Sequence, residues 1–247
     1  MVPRIPRLDV DEEIDEAMVQ LLDALKDVSL TSLDISSTGC GISTASKLAE
    51  LVSGATKFGA AVYEVNVSMN DIGVDGAKAL GDVISASSLK CLIIGPKGTR
   101  LPVNDEEVTE LNFEGQEFSP VEVTLVAAAT STLAAVESID LSGCGLTGAT
   151  KDDFGDWQKI DSNMDGFIAL CAVLGKVRTV RLADCGLGAS SVAELSKIFS
   201  DATTAMTKVD IRHAAIDEEA LDTLKGAVPE GCEVVWEPPD DDESDDY

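Results

Sequence analysis

Residues 159–170 read KIDSNMDGFIAL. Asp161, Asn163 and Asp165 stand at alternate positions, as the first oxygen ligands of a calcium-binding loop do. Gly166 and Ile168 fall where such a loop keeps its turn glycine and its buried aliphatic. The chemistry stops there. The closing position, where a bidentate glutamate is needed, falls on Ala172, and the position often bridged to the ion through water falls on Ala169. Asp161, Asn163 and Asp165 are therefore only weak metal candidates, and no metal is expected. The same letters recur elsewhere without any calcium pattern. Val74-Asp75-Gly76 aligns with Met164-Asp165-Gly166, and Ala79-Leu80 with Ala169-Leu170.

Other chemistry is equally thin. His213 is the single histidine, which excludes a two-histidine metal site or proton relay. The segment GPKGT at Gly95 lacks the spacing of a phosphate-binding loop, and no G-x-S-x-G elbow occurs. Six cysteines are scattered with no C-x-x-C pair, which suits reduced thiols and speaks against a zinc ribbon or a dithiol redox motif. No cofactor is expected, and the chain does not read as an enzyme.

The elements that would position such residues come from a repeat. The segments VYEVNVSMNDI from Val62, VESIDLSGCGL from Val136, VRTVRLADCGL from Val177 and MTKVDIRHAAI from Met206 share one frame, L-x-x-L-x-L-x-x-(N/C)-x-L, with aliphatic substitutions and an Ala in the polar slot of the last. Weaker copies start at Leu30, Leu89 and Val108. In this frame x-L-x-L is a short strand with alternate side chains buried. The Asn/Cys slot (Asn70, Cys144, Cys185) puts a small hydrogen-bonding group where the chain turns inward. Helices are expected between strands. GASSVAELSKIF sets Val192, Leu195, Ile198 and Phe199 on one face, Ser119-Pro120 with Glu122 reads as a capping box, and Asp217 can cap EEALDTLKGAV.

This pattern resembles the leucine-rich repeat family, in its ribonuclease-inhibitor-like class, whose repeats run to about 28 residues. The resemblance covers roughly residues 30–236. It implies an α/β solenoid of about seven repeats, with a curved parallel sheet on the concave side and helices on the convex side. Two units depart from the period. The step from Leu89 to Val108 is 19 residues, with GPKGTRLPVNDEE where a helix is expected, and the step from Val136 to Val177 is 41. The second holds the calcium-like letters in an insertion near 149–163. Its removal should leave close to one normal repeat. Phe154 and Trp157 either pin that insertion or await a partner, and pinning is the preferred reading.

The domain reading is an N-terminal capping helix within 1–29, the repeat array over 30–236, and a disordered acidic tail over 237–247. The helix carries a stripe of Val10, Ile14, Met18, Leu21, Leu22 and Leu25, and the array ends on an edge strand, CEVVW. The formal net charge of −27 repels nucleic acid and anionic membranes and suits a partner protein with a basic surface. No apolar run is long enough to span a membrane, and the N-terminus lacks the apolar core of a leader peptide. A cytoplasmic location follows, with the nucleus as the alternative.

The resulting expectation is a non-enzymatic protein–protein interaction module. The outward strand positions would line the binding face: Asp34, Asn66, Ile93, Asn112, Asp140, Arg181 and Asp210, with Arg212 and His213 beside them. Arg181, Lys208, Arg212 and His213 read as a basic cluster that the acidic tail could cover. The alternative is a Ran-type GTPase-activating protein, which the repeats and the acidic tail also resemble. No functional residue of that family maps onto a numbered position here.

Overall fold

The structure is a computed structural model describing residues 10–199 and 205–238. The expected acidic tail lies outside the described residues apart from Glu237 and Pro238, as do residues 1–9 of the expected capping segment. The chain forms two compact units, Met1–Asn104 and Asp105–Tyr247.

The first unit contains α1 (Val10–Leu25), β1 (Ser32–Asp34), α2 (Ile42–Ser53), α3 (Lys57–Ala61), β2 (Glu64–Asn66), α4 (Gly73–Ile84), β3 (Cys91–Ile94) and β4 (Thr99–Pro102). Its sheet runs β1-β2-β3-β4. The first three strands are parallel, and β4 returns antiparallel on β3. The second unit contains β5 (Glu110–Asn112), α5 (Pro120–Thr132), β6 (Ser138–Asp140), β7 (Thr150–Lys151), β8 (Trp157–Gln158), α6 (Asp165–Leu174), β9 (Thr179–Arg181), α7 (Ala189–Phe199), β10 (Lys208–Asp210), α8 (Glu218–Ala227) and β11 (Glu233–Val235). Its main sheet is β11-β10-β9-β6-β5, parallel throughout, and β7-β8 forms a separate antiparallel pair.

Each short parallel strand of the two main sheets, apart from the last, buries one aliphatic residue at the same position. Leu33, Val65, Leu92, Leu111, Ile139, Val180 and Val209 fill that position and are buried. Two residues later Ile35, Val67, Ile94, Phe113, Leu141, Leu182 and Ile211 are buried in turn. Burying one such side chain is worth about 1.5–3 kcal/mol. The backbone then turns at one left-handed residue in the same place: Ser37, Met69, Gly115, Gly143, Asp184 and His213, with φ between 52° and 75°.

At Asn70, Cys144 and Cys185 the Asn/Cys slot closes the turn onto the preceding repeat. Asn70 Nδ2 donates to the carbonyl of Ile35 at 2.8 Å, while its Oδ1 accepts from the N–H groups of Thr38 and Cys40. Cys144 Sγ donates to Phe113 O at 3.4 Å, and Cys185 Sγ to Leu141 O at 3.1 Å. Ile35, Phe113 and Leu141 occupy the same frame position, so the slot links neighbouring repeats. Burial pushes the Cys144 thiol up and the Cys185 thiol well up, which keeps both protonated and able to donate. Cys171, buried in α6, is pushed up to about 12 by the same cause.

Helix ends follow the sequence closely. Ser119 and Glu122 form the capping box of α5, with Pro120 in its first turn, and Asp217 Oδ1 accepts from Ala220 N–H at 2.8 Å to cap α8. The α1 stripe is narrower than expected. Leu22 is buried but Leu21 is 48 % exposed, because the inward face turns through Asp15 instead. Neighbouring helices pack in chain order within each unit: α1 on α2, α2 on α4, α5 on α6, α6 on α7, and α7 on α8.

Candidate functional site

The outward strand positions form two registers. In the first unit Asp34, Asn66 and Ile93 lie side by side, and Arg100 of β4 continues the row. In the second, Asn112, Asp140, Arg181, Asp210 and Val235 are aligned across β5, β6, β9, β10 and β11. A parallel row that sequence reasoning passed over runs through Glu110, Ser138, Thr179, Lys208 and Glu233. The period-two alternation that placed Asn112 places Glu110 on the same face.

Most row members already have work to do. Asp34, Asn66, Asn112, Asp140 and Asp210 each use Oδ1 to accept the N–H of the residue two positions on, at 2.9–3.2 Å. These side-chain turns end the strand where the frame demands it. Oδ1 of each is spent on the fold, and Oδ2 of Asp140 and of Asp210 lies beside Arg181 and Arg212.

The expected basic cluster is neutralised within the molecule. Arg212 makes a forked contact with Asp210, with Nη2 to Oδ2 at 2.8 Å and Nε to Oδ1 at 2.9 Å. Arg181 Nη1 lies 3.7 Å from Asp140 Oδ2, and Lys208 pairs with Glu233 at 3.0 Å. Burial raises the Asp210 carboxyl, but hydrogen bonds from Arg212 outweigh it and hold the group below the usual carboxylate range. His213 sits at the left-handed turn, with Nδ1 3.2 Å from Pro238 O, and its N–H donates to Glu237 O at 2.8 Å. Each of these three cations of the expected basic cluster stands beside a row carboxylate, a pairing that charge counting along the chain does not reveal. Between the turns lies an open groove of about 530 Å³ lined by Glu114, Asp140, Arg181, Asp184, Arg212 and His213 among others.

The calcium-like letters have another explanation. Asp161 turns both carboxylate oxygens onto the start of α7. They accept the N–H groups of Gly188, Ser190 and Ser191, the second at 2.9 Å, and the Ser191 hydroxyl. Asn163 Oδ1 accepts from Asp165 N–H, and Asp165 lies in the first turn of α6. Gly166 is a helix-packing residue, since a Cβ there would collide with the backbone of Pro120. Gly76 plays the same part against Ala45, with its Cβ position 2.8 Å from that side chain. Ile168 is 46 % exposed, not buried. Among the described residues no group of three or more His, Cys, Asp or Glu side chains is arranged to hold a metal ion.

The insertion is an ordered hairpin on a fixed stalk. Asp184 holds both of its strands: its Oδ1 accepts from Trp157 Nε1 at 2.7 Å and its Oδ2 from Lys151 Nζ at 2.6 Å. The Lys151 ammonium also lies 4.9 Å from the Trp157 ring centre. At the tip, Asp152 Oδ1 accepts the N–H groups of Phe154 and Asp156, and Oδ2 accepts from Gln158. Trp157 pins and Phe154 does not: its ring is 90 % exposed. The expectation that residues 149–163 are dispensable meets Asp161, which belongs to that stretch and caps α7.

The described residues contain no helix long and apolar enough to cross a membrane. A family model described as Leucine Rich repeat matches residues 64–81, from β2 through most of α4. With the α/β repeat geometry, that match supports a leucine-rich repeat protein, a kind of domain that suggests protein interaction. Among curated proteins none matches the chain.

Proposed function

We propose that the protein is a non-enzymatic interaction scaffold built as a ribonuclease-inhibitor-like solenoid of about seven repeats, working in the cytoplasm and binding another protein through its outward strand rows. The observation that carries this reading is the register of Asn112, Asp140, Arg181 and Asp210 on adjacent parallel strands. Such a row presents several polar side chains at strand spacing, about 4.8 Å apart, on a backbone held by the ladder. A pre-set surface of this kind loses little freedom on binding. Acidic groups dominate the chain, so the favoured partner carries basic groups.

The test is affinity capture from the source cell with the wild-type chain and with an Asn112→Arg/Arg181→Glu variant. Asn112 Oδ1 also accepts Glu114 N–H and Arg181 pairs with Asp140, so the variant should melt below the wild type, and capture is compared at a temperature where both are folded. A partner held by wild type and lost on the variant supports the reading. Equal capture by both would sink it. Single-turnover hydrolysis with a Ran-like GTPase tests the alternative of a GTPase activator, and no acceleration is expected.

A further inference from the structure

The β7–β8 hairpin is costly to keep as a mere spacer. Asp184, Lys151 and Trp157 lock its base, and Asp152 locks its tip. Gly186 is shaped to receive it: a Cβ there would come within 2.9 Å of the Trp157 ring and 2.5 Å of Ala149. All of this ordering serves to hold one large apolar side chain, Phe154, 90 % exposed in water. Asp153 and Asp156 flank it, and both are exposed. Asp152, in contrast, is consumed by the turn. Beside the hairpin runs a groove of about 520 Å³ lined by Asp156, Trp157, Ile160 and His213 among others.

We propose that this tip is a docking knob: Phe154 enters an apolar socket on a partner protein whose rim is basic, and Asp153 and Asp156 pair with that rim. The proposal rests on the reading of the chain as an interaction scaffold and names a second surface for it. Charge decides the class of partner. The chain carries −27, so a second copy is repelled, as are anionic lipid and nucleic acid, while a lysine- or arginine-bearing protein is attracted. Rigidity decides the role of Phe154. An aromatic side chain held in place before contact gives up little entropy on burial, which is how anchor residues dominate interfaces.

The experiment pans a phage-displayed random peptide library against the full-length chain at physiological salt and titrates the enriched peptides. Expected winners combine Lys or Arg with apolar residues. Their affinity should fall about 30-fold for Phe154→Ser, the loss typical of an anchor aromatic, and survive in Phe154→Trp. Asp153→Asn/Asp156→Asn should weaken them further as salt is lowered relative to wild type, because the screened attraction is what has been removed. Melting of Phe154→Ser should match wild type, since the ring touches nothing it could destabilise. Acidic or uncharged winners, or equal binding to Phe154→Ser, would overturn the proposal. So would a wild-type dimer in light scattering that Phe154→Ser converts to monomer, or Phe154-dependent binding to phosphatidylserine vesicles. Winners that ignore Phe154 but are lost on Asn112→Arg/Arg181→Glu would sink the knob and leave the scaffold reading standing. An absence of any winner would count against both.

Discussion

Two hairpins interrupt the repeat, and they do opposite things. The β3–β4 hairpin stays in the ladder. β4 takes four register positions on β3, and its Leu101 and the following Val103 are fully buried. It stands where the frame calls for a helix, and it ends the four-stranded sheet. The β7–β8 hairpin leaves the ladder. β6 pairs directly with β9 as though nothing intervened, and every residue from Thr150 to Asp156 is exposed. An insertion that claims ladder hydrogen bonds changes the sheet. One that departs from a turn leaves the sheet alone, provided its stalk repairs what the longer path disturbs. Here the repair is Asp161, which gives α7 the cap that its own Gly188 cannot. Asp15 does the same for α2, whose N-cap is Gly41. It accepts from the N–H groups of Gly41, Ser43 and Thr44 at 2.8–3.0 Å and from the Thr44 hydroxyl.

The sharpest way to break this comparison is Leu101→Ala. If β4 is core, chemical denaturation should register a loss of about 2–5 kcal/mol. Gln158→Ala on the exposed β8 should cost under about 0.5 kcal/mol. Equal effects would erase the distinction between the hairpins.

Asp161→Ala should follow, at about 2–3 kcal/mol, because it strips a cap and leaves the buried Ser191 hydroxyl without its carboxylate. Excising 149–163 should cost at least as much, whereas replacing only 151–157 by a short glycine linker should spare the cap and most of the stability. Calcium at about 1 mM should not raise the melting temperature of the wild type, since the Asp161 oxygens are already engaged and a site with so few ligands is weak. A calcium-dependent gain would restore the metal reading.

Acid offers a milder test at the matching cap. Burial raises the Asp15 carboxyl, but hydrogen bonds from Thr44, Gly41 and Ser43 outweigh it and leave it below its usual value. A carboxyl depressed in the folded state contributes stability that is complete above its unfolded value, about 3.9, and lost as pH falls through the lower folded value. The stability gap between wild type and Asp15→Asn should therefore be full at neutral pH and close only below about pH 4. A gap that closes near neutrality would mean the carboxylate is not what caps α2.

Smaller still is Asp184→Ala, which frees Lys151 and Trp157 from a half-exposed site for about 1 kcal/mol or less. Its readout is a red shift of Trp157 emission in a Trp236→Phe background. Least of all, Met69→Gly should stabilise by about 0.5 kcal/mol. It relieves a left-handed methionine at φ 57° at the expense of glycine's greater unfolded freedom.

The repeat strands and the caps at Ser119 and Asp217 were legible in the sequence because each depends on residues within one strand or turn, and the Asn/Cys slot because it recurs at a fixed offset in the repeat. Buried positions recur at fixed offsets, and a local offset is visible in a string of letters. The role of Asp161 was not legible. Its partners, Gly188 to Ser191, lie a whole repeat away, and its neighbours imitate a calcium loop. The same holds for Asp15 on α2, for Asp184 beneath the hairpin, and for the pairing of Arg181 and Lys208 with row carboxylates. Phe154 and Trp157 stand three positions apart with similar apolar character, and only the position of Asp184 decided which one is held and which is left in water. Hydrophobic burial is periodic and announces itself along the chain. Hydrogen bonds and ion pairs are short-ranged and directional, so their partners exist only once the backbone has brought distant residues within about 3 Å.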